Sequence, residues 1–309
     1  MKRQVLGFVL LGLVVVIWVL SGFLIQAILQ PSEFDHPVMM TVISVGMCAV
    51  LLVLRPSNRI KSSQSESLLH AKPMDRSRIL FLGCVWLAAQ LLYNVSLKYM
   101  SVSSNTAISS SSSLFTFIFS LWFLDGYKLT ISAMTALVCS TAGVWIIASL
   151  QDHTTGQSMS ALGAVLATTS CACYGLFTTM LKKFFGSNST SVVDLFGNLG
   201  LVACVLGVPL VLIAHVSGID RFALPSSLRV IAGITANSLI GSVLSDILLA
   251  QSVLLLNPIT VSLGLSLTMP LSMALDSVSK TPPACVWAMV LQFASMCLIS
   301  YDNYTNRRY

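Results

Sequence analysis

The sequence predicts an all-α membrane protein: ten transmembrane helices, arranged as two five-helix halves of opposite orientation. Composition predicts the class. Apolar residue types make up 55% of the 309 residues and charged types 9%, where an average soluble domain carries about 25% charged residues. So few charges cannot cover the surface of a soluble chain of this length, which excludes a soluble enzyme, a secreted domain and a disordered tail protein. Run length predicts the helices, because a hydrocarbon core about 30 Å thick takes ~20 apolar helical residues. Parity predicts the arrangement, since a half with an odd number of spans must invert the half that follows it.

The ten apolar runs cover residues 5–29, 38–54, 79–99, 104–124, 130–150, 160–181, 191–215, 228–249, 256–276 and 284–301. The first is too long for a signal-peptide core and further spans follow, so it reads as a retained helix. Loop 55–78, polar and Ser-rich, reads as a flexible linker. The halves are 1–152 and 153–309. At an offset of 156 residues, Leu6-Gly7 matches Leu162-Gly163 and Trp18 matches Tyr174. Inverted repeats are a recurrent plan of secondary transporters, with the substrate site near the bilayer midplane. A ten-helix receptor or scaffold would need no such repeat.

The net charge of +6 reads as orientation, with no basic face of the kind nucleic acid binding needs. With a cytoplasmic N-terminus, 13 of the 17 Lys and Arg residues fall on the cytoplasmic side, leaving Lys98, Arg221, Arg229 and Lys280 opposite. The positive-inside rule therefore puts both termini in the cytoplasm. Of the sequons at Asn94, Asn188 and Asn303, the first lies inside a span and the others on the cytoplasmic side. No N-glycan is expected. All eight cysteines fall in apolar runs with no C-x-x-C pair, and read as buried thiols, with no metal site. The chain carries no catalytic constellation and no phosphate-binding loop, so neither an enzyme nor an ATP-driven pump is expected, and no cofactor.

Ionisable groups inside hydrocarbon mark bundle interiors or cavities. Asp246 in the eighth run is the clearest candidate. It reads as a substrate or proton site, or as a hydrated residue near the end of its span. Asp194, Asp276 and Lys98 sit at span ends and read as hydrated or snorkelling residues. Gln90 and Asn94, four apart on one helix face, join Asn198, Asn237, Ser245 and Gln251 as hydrogen-bonding candidates; interhelical bonds would also explain them. Trp18 and Tyr174 could stack on a planar ligand or pack in the core. The run Ser109–Ser113 covers every face of its helix, so it cannot line one pocket only; close helix packing is its other reading. Pro209 and Pro270 kink their helices, either as hinges for alternating access or as static bends.

Several stretches resemble a known family. Tyr93-Asn94-Val95-Ser96-Leu97, Ser101–Thr106 and Ser109–Thr116 are similar to the third and fourth helices of solute carrier family 35, subfamily F. So are Gly241–Asp246 with Leu263–Ser272, Val16-Ile17-Trp18-Val19 and His36-Pro37. The similarity is greatest to its member-five branch and spans nearly the whole chain. The resemblance implies the drug/metabolite transporter (EamA-like) fold, with a five-plus-five inverted repeat around a central cavity. It also implies an endomembrane location, Golgi or vacuolar, rather than the plasma membrane. Nucleotide-sugar carriers of that superfamily carry a basic residue in a G-A-L-N-K-like motif on the ninth helix. This chain reads Gly264-Leu265-Ser266-Leu267-Thr268 there. A diphosphate needs cationic partners, whereas the deep charge here is Asp246.

The expectation is therefore a secondary-active transporter of a small polar or cationic metabolite, proton-coupled or exchanging, embedded in the lipid bilayer. Its site would comprise Asp246, Asn94, Gln90, Asn198, Ser245, Trp18 and Tyr174. A nucleotide-sugar antiporter and a non-transporting scaffold or receptor are the alternatives. Substrate identity and oligomeric state stay open.

Overall fold

The computed structural model describes residues 2–29, 36–53, 75–96, 99, 105, 108–125, 130–142, 160–186, 191–218, 220, 227–268 and scattered positions from 271 to 301. Pro270, Asp276, Lys98, Asn188, Asn303 and most of loop 55–78 lie outside them. The described residues form helices and no strands. This follows from the apolar sequence. In hydrocarbon, every backbone N–H and C=O must find its partner within the segment, and an α-helix does that alone.

Nine helical rods stand among the described residues. They are α1 (Lys2–Leu29), α2 (Pro37–Val53, through a short 3-10 turn at Met47–Ala49), α3 (Arg76–Ser96), α4 (Ile108–Phe123), α5 (Ile131–Ala142), α6 (Ala161–Phe185), α7 (Val192–Val216), α8 (Leu228–Leu255) and α9 (Pro258–Leu265). The described positions between 287 and 301 are helical too. Of these, α1, α3, α6, α7 and α8 are long and apolar enough to cross a membrane; α2, α4 and α5 are shorter apolar helices. The ends have local causes. Pro37 and Pro258 open α2 and α9 at the first helical position, where a missing N–H costs nothing. Ser191 caps α7 by accepting from the Asp194 amide, and Asp194 sits in the first turn, where the helix dipole favours a negative charge.

Each long rod has a lipid face and a buried face. On α1, Val5, Val9, Leu13, Val16 and Leu20 are exposed, while Leu11, Val14, Val15 and Val19 are buried. On α7, Val205, Val208, Leu212 and Ile213 are exposed and Leu195, Leu199 and Ala203 buried. The core centres on Trp86 of α3, stacked on Phe177 of α6 at 6.2 Å and edge-on to Phe196 of α7 at 5.5 Å.

The packing partners are reciprocal. Helix α3 packs on α6, and α1 on α8; α4 packs on α6, and α9 on α1; α2 packs on α7, and α4 on α9. Exchanging each helix with the one five places along maps this set of pairs onto itself. Small residues allow the close approaches. Added Cβ atoms would meet the α4 backbone at Gly175 (2.7 Å from the Thr116 nitrogen) and the α2 backbone at Gly200 (2.7 Å from the Cys48 carbonyl carbon). The serine-rich start of α4 belongs to the same pattern. Ser113, Thr116 and Ser120 are fully buried on one face. Gly175 and Thr179 of α6 lie against that face, Ser120 and Thr179 bringing their hydroxyls to 3.5 Å. Close packing explains these positions.

Candidate functional site

The polar centre is built on α8. Its segment Asn237–Leu244 is π-helical, a wider winding that is rare and concentrated at functional sites. The small and polar residues of this segment meet α1 and α2. Ser21 of α1 donates to Asn237 Oδ1. Ser44 of α2 lies 3.1 Å from Ser238, hydroxyl to hydroxyl. Gly241 leaves room for this bond, because a Cβ there would meet Ser21 Oγ and Asn237 Oδ1 and displace them. Ser245 accepts the Trp18 indole N–H at 3.0 Å and donates back to the Gly241 carbonyl.

Asp246 follows directly. It is 3% exposed, and its Oδ2 has no hydrogen-bond partner among the described residues. The Tyr174 hydroxyl of α6 is likewise buried and unpartnered there. Both Tyr174 and Cys48 of α2 lie within electrostatic reach of Asp246. Because α8 runs on to Leu255, Asp246 sits well inside the rod. This corrects the reading of Asp246 as a hydrated residue near the end of a span at 249.

A second polar seam joins α3 to α2. Asn94 donates to Thr41 Oγ1 at 2.8 Å and to the Gln90 carbonyl at 3.0 Å. Thr41 donates in turn to the Pro37 carbonyl. Ser44, one turn along α2, continues the seam to the π segment. Gln90 is half-buried. Asn198 bonds within its own helix, to the Asp194 carbonyl at 2.7 Å. Pro209 sits exposed in a continuous α7. Among the sequence candidates, the structure thus gathers Trp18, Ser245, Asp246 and Tyr174. Asn94 and Gln90 stand on the adjoining seam, and neither Asn198 nor Pro209 bonds to either group.

Sequence reading missed Ser21 and Ser44, isolated small residues in apolar runs whose only signal was their polarity; Cys48 is the buried thiol it expected. It also missed Asp220, which is 5% exposed. Its Oδ1 lies 2.6 Å from His36 Nδ1, and its Oδ2 accepts from the Val38 amide at 2.8 Å. One carboxylate thus closes the start of α2 and ties it to the chain just after α7. At the other end of the bundle, Lys182 Nζ donates to the Leu254 and Leu256 carbonyls at 2.5 and 2.8 Å. A cation suits the negative end of α8's dipole.

Comparison with known proteins agrees with this architecture. The EamA-like transporter family matches residues 5–149. An uncharacterised transporter of Schizosaccharomyces pombe is 29% identical, over 97% of both chains. An uncharacterised vacuolar membrane protein of Saccharomyces cerevisiae is 28% identical, over 90% of this chain and 85% of its own. Solute carrier family 35 member F5 of Macaca fascicularis is 30% identical, over 65% of this chain and 47% of its own length. A protein crystal structure superposes over 98% of both chains with a TM-score of 0.71 at 11% identity, a likeness of fold alone. Residues 5–149 thus match the EamA-like transporter family, and the chain is a helical membrane protein similar to uncharacterised transporters and to solute carrier family 35 member F5.

Proposed function

We propose that the protein is a secondary-active transporter that moves a small polar or cationic metabolite by alternating access, between two inverted five-helix halves, 1–152 and 153–309. The observation that carries the reading is Asp246: a buried carboxyl whose Oδ2 has no partner among the described residues, where α8 meets side chains from α1, α2 and α6. A central Asp costs about 2.5–3.5 kcal/mol on membrane-insertion scales. A carboxyl there can accept a donor from a solute or hold a proton. Trp18, through its bond to Ser245, and Tyr174, within electrostatic reach, would complete the site, with Asn94 and Gln90 supplying further hydrogen-bonding groups. Asn198 and the hinges at Pro209 and Pro270 belong to the same proposal.

Reciprocal helix pairing supports the two-half plan, as does the family match ending at residue 149. An endomembrane location, with both termini in the cytoplasm, fits the vacuolar membrane protein among the relatives and the sequence's charge asymmetry. Counterflow in proteoliposomes tests the reading. Vesicles loaded with cationic vitamins and bases should exchange them, and Asp246→Asn should abolish that exchange. Exchange of nucleotide sugars instead would move the assignment to an antiporter of that class. No saturable exchange of any pool would point to a scaffold or receptor.

A further inference from the structure

We propose that the Asp246–Tyr174 pair takes one monovalent cation in strict competition with one proton, so that the protein runs as a one-for-one, electroneutral cation–proton exchanger; this rests on the transporter reading above. The charge arrangement leads there. Among the described residues, Asp246 is the one acidic side chain well inside a long rod; Asp75 and Asp194 stand at helix starts, and Asp125 and Asp220 follow helix ends. Among the described residues, the helices against α8 bring it no cation. From α6 comes Tyr174, and from α2 comes Cys48 with Cys204 of α7 beside it. From α1 comes Trp18 through Ser245, and α9 carries no titratable residue at all. The ends of the neighbouring rods hold Lys2 and Arg3 on α1, and Asp194 and His215 on α7. The basic residues of α6 lie two turns from Tyr174 and are otherwise engaged, Lys182 on the Leu254 and Leu256 carbonyls and Lys183 over the Phe123 ring at 5.6 Å.

Three states follow. With a monocation on Asp246, the site carries no net charge, and the Tyr174 hydroxyl is free to accept from or donate to the solute. With a proton on the carboxyl, it is again neutral. Empty and ionised, it is a lone buried charge, which is costly enough that such groups neutralise instead. Only the first two can cross from one access state to the other. When the cation enters, the Asp246 O–H bond breaks and its proton passes to water on that side. When the cation leaves on the far side, the carboxylate takes a proton from water there. One positive charge moves each way, and no net charge crosses. A nucleotide diphosphate would face the carboxylate with no cation to receive it, and a dication would leave one charge uncompensated.

The test uses the full chain in liposomes, with thiamine and choline as permanent monocations, under imposed pH gradients and under potassium–valinomycin potentials. An inside-acid gradient should drive uptake, and the potential should leave the rate unchanged. Asp246→Asn should lose gradient-driven uptake and Asp246→Glu should keep it. Tyr174→Phe should raise the half-saturating concentration about tenfold with coupling intact. Uptake driven by the potential in the wild type would overturn the inference without reference to any variant. So would gradient-driven uptake that survives Asp246→Asn. If both monocations are inert while a nucleotide sugar or neutral solute exchanges, this inference fails and the transporter reading stands. If nothing in any pool exchanges, both fail.

Discussion

Trp18 and Ser245 are 227 residues apart in the chain and joined by one hydrogen bond, indole N–H to hydroxyl oxygen, at 3.0 Å. The bond fastens α1 to α8 one residue before Asp246. It also marks the point where the π segment returns to α winding. Trp18→Phe keeps a ring and removes the donor; Ser245→Ala removes the acceptor. Each should lower stability by about 1 kcal/mol, and the double variant should cost less than the sum, because one bond is lost only once. Unfolding in detergent measures the cycle. Strict additivity would mean that the two side chains do not interact.

Asp220 holds the start of α2 through His36 and the Val38 amide. Asp220→Ala leaves a buried amide without its acceptor, which should cost about 1–3 kcal/mol. Asp220→Asn retains an oxygen for Val38 and should cost less. A melting series on wild type, Asn and Ala variants checks the order. Equal losses for Asn and Ala would assign the effect to the charge rather than to the amide bond.

Hydropathy made the rods legible, because a bilayer imposes a one-dimensional rule of about 20 apolar residues per crossing. Runs 191–215 and 228–249 match α7 and the first four-fifths of α8 for that reason. The same rule singled out Asp246. It could not separate a span end from a span middle, because Ser252 and Gln251 dilute hydropathy while α8 continues to Leu255. The pairing of Asp220 with His36, 184 residues apart, is tertiary and leaves no periodic trace. The π winding at Asn237–Leu244 is similarly silent, because the contacts of Ser21 and Ser44 accompany it and both residues belong to other helices.

Asp75, just before α3, accepts from both the hydroxyl and the amide of Ser77, and Arg78 stands beside it. The Ser77 hydroxyl first, then the Ser77 amide and the Arg78 charge, hold its carboxyl below the usual carboxylate range. The group is ionised more readily folded than unfolded. Its contribution to the start of α3 is therefore present above the unfolded value and lost as pH falls through the folded one. Carboxyl carbon shifts should titrate below the usual Asp midpoint, and Ser77→Ala should move the midpoint up. An unmoved midpoint would remove Ser77 as the cause.

Gly200 sits where α7 crosses the 3-10 turn of α2, and its missing side chain sets the distance between two rods. An added Cβ would meet backbone, including the Cys48 carbonyl carbon at 2.7 Å. Main chain cannot rotate away as a side chain can. Gly200→Ala must therefore move α2 from α7, and overpacking of this kind costs about 1–3 kcal/mol. At Gly207, on the same helix, the nearest atoms all belong to the Val42 side chain, whose Cγ1 lies 2.6 Å from the Cβ position. Turning Val42 takes one of its two methyls away, so a small side-chain shift can ease that contact without moving main chain. Gly207→Ala should thus cost less than Gly200→Ala, although both positions look alike in sequence. The α2–α7 crossing also places Cys48 within electrostatic reach of Asp246, so Gly200→Ala should disturb exchange as well as melting, and Gly207→Ala should leave exchange close to wild type. Parallel melting and counterflow measurements on the two variants check both orders, and a Gly207→Ala loss as large as that of Gly200→Ala would show that side-chain adjustment does not relieve this interface.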